Sequence, residues 1–584
     1  MGAFLLISDR EKRFKHSSAL EIIRKQCGTE PLNFRLEGWN LYLFPKLLIP
    51  DLKNFRLTDN YSLFATGTPF LHGKTYQETL DKLFSYICRE VQPEQIKGHF
   101  FILTDSPDGL RFFTDPSGIY STYHTSGGTV ISSSFLAIAE GTESLTVNRD
   151  PFIENLLTGS IIGSDTIFSE ILRFEPAFPF KFHGLKFMPY SYGAEGIGPF
   201  RNRKESIDGQ IKILDYYFAG IKRFAEEYGT DAGITGGFDS RLLLAMCLRH
   251  FDKEVLQFHS HRRKKPDSDF LSGEDICKKA GLKFVTKPVK DISDIDEEEA
   301  IEIVNNGMLF TDGQARTHSF WHEGFNTAGY RIGILGNRKL GLGGIGGEQY
   351  RNLERKFNCT YDLKNWIKNE LIIKYSGFNS TGKDAIEKMV NTLTGKLEER
   401  IPLRKHGRID YPGIKYYMQE VYIPANRGLK TGYENRLSFH LFPFTDPDVE
   451  YAARMAIPFL GVSLDYEAEI IRTLNPLIAS VGSSYGYSFY GREPLQSVLP
   501  YIFLNNLVPG TVFQLIAEKF LSRKTDRWAI LTGRLRPFRS MLEILNSAGF
   551  PVITDNLILR NDIGPVALAL GHLLTRFRDK IKLP

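Results

Sequence analysis

The stretch Asp231-Ala232-Gly233-Ile234-Thr235-Gly236-Gly237-Phe238-Asp239-Ser240-Arg241 decides the reading of this chain. A short apolar strand ending at Ile234 runs into two adjacent glycines, and a helix follows through Leu242, Leu243 and Met246. Glycines between a strand and a helix let the backbone turn tightly and aim its N–H groups at one point. The helix adds its positive N-terminal end, so pyrophosphate or a nucleotide's phosphates bind naturally there. The Thr235 and Ser240 hydroxyls can donate to phosphate oxygens, and Asp239 can hold a magnesium ion that bridges them. A turn that served packing alone would need neither the hydroxyls nor the acid. Arg241 is open to two readings, a further phosphate contact or a surface salt bridge.

Upstream, Ile211, Leu214, Phe218, Ile221 and Ala225 fall at helical spacing and give one apolar stripe. Downstream, the pattern predicts a strand at Val255 to His259. A helix from about Ser272 to Ala280 follows, with Ser272 and Asp275 spaced for a cap, and then strands at Lys283 to Val285 and Arg331 to Leu335. Strand–helix alternation of this kind implies a doubly wound, mostly parallel α/β sheet, whose ligands sit beyond the carboxyl ends of the strands. Beyond about Asn352 the pattern is mainly helical.

The N-terminal part has another texture. Phe100 to Thr104 and Leu110 to Thr114 flank Ser106-Pro107-Asp108-Gly109, and Ile119 to His124 and Val130 to Ser134 flank Ser126-Gly127-Gly128. Short apolar runs bounded by such turns read as an antiparallel meander. A chain of 584 residues exceeds one hydrophobic core. The Gly-, Pro- and Arg-rich stretch Tyr192 to Lys204 marks the boundary, so two domains are expected, 1–200 and 201–584.

Thr235 to Ser240 resembles the S-G-G-x-D-S loop of ATP pyrophosphatases, and the wider pattern resembles the asparagine synthetase superfamily. Leu342-Gly343-Gly344-Ile345-Gly346-Gly347-Glu348 is similar to the family's second glycine loop, usually S-G-x-G-x-D-E. Gly432-Tyr433-Glu434-Asn435-Arg436 with Pro443-Phe444-Thr445-Asp446 is similar to its G-x-E-x-R…P-F-x-D signature. Asp312-Gly313 falls where the family places a loop at the active-site mouth. Gly98-His99-Phe100, Thr114-Asp115-Pro116-Ser117-Gly118, Tyr123 and Thr166-Ile167-Phe168 with Ile171 resemble its glutaminase-like domain. The likeness covers about Lys97 to Ser488.

The resemblance implies an adenine nucleotide alpha hydrolase-like synthetase domain with a helical C-terminal extension, preceded by an α+β N-terminal-nucleophile-hydrolase-like domain. It implies ATP and Mg2+, with Asp239 and Glu348 as magnesium ligands, Glu348 replacing an aspartate. Thr235, Gly236, Gly237 and Ser240 would grip pyrophosphate, Leu256 to Phe258 would border the adenine, and Gly343 and Gly344 would lie against the nucleotide through their backbones. The implied reaction is AMP-forming amide ligation of a small-molecule or peptide carboxylate with an amine donor. A partner protein that supplies substrate belongs to the same expectation.

Three departures qualify that picture. The family's glutaminase uses a cysteine at residue 2, where this chain has Gly2, so no glutaminase of its own is expected. Where the family commonly places an acidic or tyrosine side chain to orient the amine stands Ile345. The usual catalytic lysine has no match. Arg472 can stabilise a negative transition state but cannot act as a base, and Lys430 is the substitute candidate, with a surface lysine as its alternative. An ammonia-using asparagine synthetase relative and a nucleotide-binding pseudoenzyme are the competing readings.

Other features exclude function classes. The 73 basic and 68 acidic residues leave a net charge of +5, which does not by itself argue for nucleic acid. The basic run His259 to Lys265, with His261, Arg262, Arg263 and Lys264, lacks interleaved aromatics; it is a solvated loop or recruits an anionic substrate. Five scattered cysteines fit a reducing, cytoplasmic compartment and no zinc site. No signal peptide or transmembrane segment is expected, and Ile563 to Leu574 with the basic residues after it reads as a C-terminal helix rather than a peripheral membrane contact. Gly67 and Gly73-Lys74-Thr75 miss Walker A spacing by one residue. Gly341 to Gly346 satisfies G-x-G-x-x-G but follows its strand at a distance and precedes an acid, which argues against a dinucleotide enzyme.

Overall fold

The computed structural model describes residues 2–89, 95–189, 198–263, 265–289, 294–314, 327–353, 360–373, 383–507, 536–548, 550 and 564–583. The chain opens with β1 (Ala3–Ser8), α1 (His16–Cys27), β2 (Leu32–Leu36), β3 (Trp39–Phe44), β4 (Phe55–Leu57), β5 (Ser62–Phe70) and α2 (Tyr76–Cys88). It continues with β6 (Lys97–Asp105), β7 (Leu110–Thr114), β8 (Tyr123–Thr125), β9 (Val130–Ser132), α3 (Phe135–Gly141), β10 (Leu145–Thr146), α4 (Arg149–Thr158), β11 (Ile171–Arg173) and β12 (Leu185–Phe187). These strands form two main sheets, β11-β8-β9-β1-β3-β2 and β12-β7-β6-β5-β4.

All six residues of β1 are buried because both of its faces are covered. Phe4 and Leu6 enter the core between the sheets, where Phe4 stacks on Phe101 of β6 at 4.2 Å. Ala3, Leu5 and Ile7 pack on the opposite face with Ile23 of α1 and Phe135 of α3. The second sheet repeats the alternation. Phe101 and Leu103 face the first sheet, while Phe100 and Ile102 pack with Leu80 of α2 and Leu214 of α5 (Arg203–Tyr228). Period-2 alternation with both faces apolar thus gives four layers, helix, sheet, sheet, helix.

The single meander expected from His99 to Ser134 is two hairpins in two sheets, β6–β7 in one and β8–β9 in the other. Asp115 explains the change of sheet. Its buried carboxylate accepts from the backbone N–H groups of Ile119 at 2.7 Å and Tyr120 at 2.9 Å, folding the connector over.

The apolar stripe of α5 is buried as its spacing predicts. The helix leads into β13 (Thr230–Gly233), α6 (Phe238–His250), β14 (Leu256–Arg262), α7 (Ser268–Ala280), β15 (Lys283–Pro288), α8 (Glu297–Phe310), α9 (Ala328–Leu335) and β16 (Leu340–Leu342). Later strands are β17 (Thr360–Asp362), β18 (Arg408–Asp410), β19 (Phe439–Leu441) and β20 (Ile581–Lys582). The sheet β15-β14-β13-β16-β19 is parallel throughout, making this a mixed α/β protein with a parallel sheet.

Three local expectations change. Arg331 to Leu335 is not a strand but the end of α9, whose start is fixed by the Thr327 hydroxyl accepting from Tyr330 N. Helix α7 starts at Ser268, capped by Asp267 rather than Ser272, because the Asp267 carboxylate accepts from Phe270 N. Strand β14 runs on into the basic run because β15 pairs with it as far as Arg262 and Pro288. Of the boundary stretch Tyr192 to Lys204, residues 192–197 lie outside the described residues, as do Lys264, Cys359 and Ile563; α5 begins at Arg203.

The parallel sheet and the N-terminal layers share buried polar contacts. Lys97, 2% exposed, donates to both Asp446 oxygens at 2.9 and 3.0 Å and to Asp448 at 2.8 Å. Lys46 donates to Asn435 and to the Ser438 carbonyl. His99 Nε2 accepts from Phe442 N at 3.1 Å. The C-terminal helix Gly564–Arg576 is largely buried, and β20 pairs with β10. Arg576 pairs with Glu140, and Lys580 donates to the carbonyls of Ala139, Glu140 and Thr142, so these basic residues serve packing. Among the described residues no helix is long and apolar enough to cross a membrane.

Candidate active site

The order of the parallel sheet reverses at β13: the chain proceeds outward through β14 and β15, then returns to β16 on the other side. In an open parallel sheet such a switch point leaves a crevice beyond the carboxyl ends of the two strands, where ligands bind. Thr235 to Ser240 follows β13 and Gly343 to Glu348 follows β16, so both glycine loops open on this crevice. The loops touch. A β-carbon on Gly347 would come 2.5 Å from Asp239 Oδ1, and one on Gly344 would lie 3.3 Å from the Asp239 side chain.

Helix α6 begins at Phe238 with Gly237 as its cap residue, and no side chain caps its first turn. Its leading N–H groups and positive end therefore face the loop uncapped. Thr235 is exposed, and its Oγ1 lies 3.0 Å from Ser240 Oγ and accepts from Gly237 N at 3.1 Å. Asp239, in that first turn, keeps 32% of its side chain exposed.

Several expected residues have other roles. Gly236 donates its N–H to Asp269 Oδ1 at 3.2 Å and packs against Ser484, so its lack of a side chain serves loop packing rather than a phosphate. Arg241 is neither a phosphate contact nor a surface salt bridge. It is fully buried and donates to the carbonyls of Gly236, Ile478, Val481 and Gly482, with its guanidinium 4.4 Å from the Phe489 ring. Burial pushes its pKa down to about 10. Leu256 and Phe258 are core residues, and Leu256 stands at the amino end of β14 opposite Thr230. On β14, His259 has its ring 2.8 Å from Asp231 and 3.6 Å from where a Gly233 β-carbon would be.

In the second loop, Gly343 donates its N–H to the Leu441 carbonyl, and a side chain there would collide with Phe442. Ile345 packs with Ile119, Ile423 and Phe442, an apolar patch shared with the N-terminal layers. G-x-G-x-x-G here begins inside β16 rather than at a distance from it, and the 3-10 turn Gly347–Tyr350 follows instead of the helix a dinucleotide needs. Glu348 Oε2 accepts from Gly346 N at 3.0 Å. Lys415 Nζ donates to the carbonyls of Glu348 and Arg351, which fixes the turn.

Arg472 donates to the Tyr490 carbonyl at 2.9 Å and, among the described residues, makes no ion pair with Asp239. Lys430 is half-buried, makes no hydrogen bond or ion pair with another described residue, and lies near enough to His440 for its charge to act there. Burial, reinforced by Lys430, drives the His440 pKa well below the usual imidazole range. A Gly341 side chain would collide with the His440 ring, so this pair sits behind the second loop. Asp312, expected at the site mouth, is buried and accepts from Ser134 Oγ, Phe135 N and Gln26 Nε2 at the head of α3. In the basic run, His261 meets Tyr330 Oη at 2.7 Å and Arg263 pairs with Asp267, leaving less solvated charge than the sequence suggests.

Four residues escaped the sequence reading. Arg351, 5% exposed, places Nη2 2.5 Å from Asp239 Oδ1 and Nε 2.7 Å from Glu467, whose side chain is 0% exposed. Burial alone would weaken the Arg351 charge; the two carboxylates outweigh it and keep the guanidinium protonated. Burial pushes the Glu467 carboxyl well above its usual range, against the pull of Arg351. Tyr485 lies with its Oη 3.5 Å from Arg351, and Ser484 N donates to the Gly236 carbonyl, so residues 482–489 roof the phosphate loop. The available signal was Glu467, an acid between buried Tyr466 and Ala468 on the apolar face of helix Asp465–Leu474.

Burial pushes the Asp239 carboxyl up, Arg351 opposes it, and Glu348 is near enough for its charge to add to the rise. Gly344 and Gly347 leave beside Asp239 a space that side chains would fill. That fits a magnesium ion held by one or two carboxylates plus phosphate oxygens. It does not fit an all-protein metal cage: no group of three or more metal-ligating side chains occurs among the described residues. Cavities of about 550 and 830 Å³ open elsewhere, one by Lys25, Phe310 and Tyr330, the other by Ile544 and Leu574. Neither is lined by residues of the glycine loops.

No family model and no curated protein matches the chain. Among solved structures it is similar to a glutamine-dependent NAD+ synthetase from Acinetobacter baumannii in complex with adenosine diphosphate. The identity is 13%, over 53% of this chain and 67% of that one, with a TM-score of 0.14. A TM-score of that size establishes no shared fold.

Proposed function

We propose that this chain is an ATP-dependent, AMP-forming amide ligase of the asparagine synthetase type, acting without a glutaminase of its own. The observation that carries the reading is the meeting of two glycine loops at Asp239, across the switch point of a parallel sheet and beside an uncapped helix start. In this reading the parallel sheet is an adenine nucleotide alpha hydrolase-like synthetase domain, 201–584. The four N-terminal layers, 1–200, are a glutaminase-like domain of the N-terminal-nucleophile-hydrolase kind retained as scaffold.

A substrate carboxylate attacks the α-phosphorus of ATP, pyrophosphate leaves, and an acyl-adenylate remains; an amine then displaces AMP and loses its proton. Thr235 and Ser240 exchange their mutual hydrogen bond for phosphate oxygens, and the start of α6 offers N–H groups to the same charge. Asp239 and Glu348 would hold magnesium, which supplies charge neutralisation at the pyrophosphate. In this reading Lys430, which makes no ion pair with another described residue, is the cation that approaches the second loop. The Ile345 patch offers the amine no polar partner, so orientation of the amine falls to the acceptor substrate.

Residue 2 is closely packed. Gly2 donates its N–H to Phe44, and a β-carbon there would lie 2.9 Å from the Arg436 Cα and carbonyl oxygen, leaving no space for a nucleophilic side chain. Amine then arrives as ammonia or on the acceptor, which is a small molecule or a peptide, delivered freely or by a partner protein.

Calorimetry with ATP and Mg2+ tests the site. The Thr235→Ala/Ser240→Ala double variant is expected to lose roughly tenfold or more in affinity, two hydrogen bonds to charged oxygens being at stake. Unchanged affinity would remove ATP from this loop. A nucleotide-binding pseudoenzyme is the second reading, favoured by the apolar surroundings of Ile345 and the engagement of Arg472 elsewhere.

A further inference from the structure

Arg351 closes the turn Gly347–Tyr350 and points back at the phosphate loop with its conformation determined from several sides. Its carbonyl accepts from Lys415, its guanidinium lies 5.1 Å from the Phe238 ring, Nε faces Glu467 and Nη2 faces Asp239. The contact with Asp239 is a charge-assisted hydrogen bond, while the approach to Glu467 pairs charges without hydrogen-bond geometry. Glu467 has no solvent exposure, and burial favours its neutral form, so any charge it carries depends on Arg351. The oxygen of Asp239 that Arg351 holds is the one facing Gly347, on the side of the second glycine loop. A cation approaching there meets a guanidinium first.

We infer that Arg351 is a positioning residue of the phosphate site: braced by Glu467, it holds Asp239 in a metal's stead, so that the divalent cation enters only together with the nucleotide's phosphates. The inference rests on the ligase reading for the identity of the nucleotide. Magnesium dehydrates reluctantly and is bound by one or two carboxylates plus substrate phosphates rather than by carboxylates alone. Here one of the two carboxylates, Asp239, is taken by a cation, and the other, Glu348, already accepts from Gly346 N. The protein alone therefore offers a poor metal site, and phosphates complete it. Glu467 gives Arg351 a place to stay when Asp239 turns to the metal.

The test is titration of the full chain with Mn2+, followed by electron paramagnetic resonance, without nucleotide and with a non-hydrolysable ATP analogue. Arg351→Lys keeps a charge for Glu467 but cannot span both carboxylates. Arg351→Met/Glu467→Gln removes the buried pair together, so that neither charge is stranded. Without nucleotide, wild type is expected to bind Mn2+ weakly and either folded variant roughly tenfold tighter or more, a neighbouring positive charge having moved or gone. With the analogue, wild type is expected to bind Mn2+ tightly. Equal nucleotide-free affinity in wild type and a folded variant would overturn the inference and leave Arg351 a structural ion pair. If wild type fails to bind the analogue at all, the ligase reading falls, while the nucleotide-free comparison still decides the role of Arg351.

Discussion

The backbones of Gly236 and Ser484 are in direct contact: Ser484 N–H donates to the Gly236 carbonyl at 3.4 Å, and a β-carbon on Gly236 would come 2.7 Å from that nitrogen. The phosphate loop is thus shaped by its roof. Gly236→Ala must displace backbone on residues 482–489, whereas Gly237→Ala meets only the Thr235 hydroxyl at 3.3 Å. Gly236→Ala is expected to cost about 1–3 kcal/mol of stability and most of the nucleotide affinity, and Gly237→Ala less of both. Paired denaturation and binding curves decide it; equal effects would show that the roof does not constrain the loop.

Arg241 joins the same two segments through four carbonyls. Arg241→Met keeps the stem but removes the side-chain donor from four carbonyls, of which those of Gly236 and Ile478 keep a backbone partner, at an expected cost of about 3 kcal/mol. Arg241→Lys should recover only part, because an ammonium cannot reproduce the fork. Urea midpoints of the two variants check this, and a wild-type midpoint for Arg241→Met would contradict the clamp.

The strand, turn and helix from Asp231 to Met246 were legible because glycine spacing and apolar periodicity agree there. Arg331 to Leu335 was not, because a short apolar run fits strand and helix equally and only the Thr327 cap separates them. Leu256 and Phe258 do not end β14, because its carboxyl half, His259 to Arg262, is polar and reads as loop until β15 pairs with it. The switch point is a property of sheet order, which local pattern does not contain. Arg351 and Glu467 escaped because their meaning lies in partners far along the chain.

His99 links stability to pH. It is buried, and its Nε2 accepts from Phe442 N, which requires the neutral ring. Burial lowers its pKa to about 3. Below its ordinary value of about 6.5 the unfolded chain binds a proton that the folded chain refuses, so stability is fully present above pH 6.5 and falls as pH drops toward 3. The whole effect is on the order of 5 kcal/mol. Denaturation of wild type and His99→Gln between pH 7 and 5 should show a shallower dependence in the variant. Parallel curves would mean that other groups carry the acid lability.

Gly2→Cys tests the N-terminal layers. The new side chain would press on the Arg436 backbone, so the melting temperature should fall by several degrees, for a cost of about 1–3 kcal/mol. No glutamate should be released from glutamine by wild type or variant. Release by the purified wild-type chain would show that another residue supplies the nucleophile.

The central claim is cleavage of ATP between its α- and β-phosphorus at Asp239. The most direct measurement incubates the full chain with Mg2+, ATP labelled at the α-phosphate and a panel of small and peptide carboxylates, with hydroxylamine to trap activated acyl groups, and separates the nucleotide products. The account predicts AMP with an equal amount of pyrophosphate and a hydroxamate from the accepted carboxylate, all lost in a folded Asp239→Ala variant. ADP with inorganic phosphate, or undiminished AMP from Asp239→Ala, would contradict it.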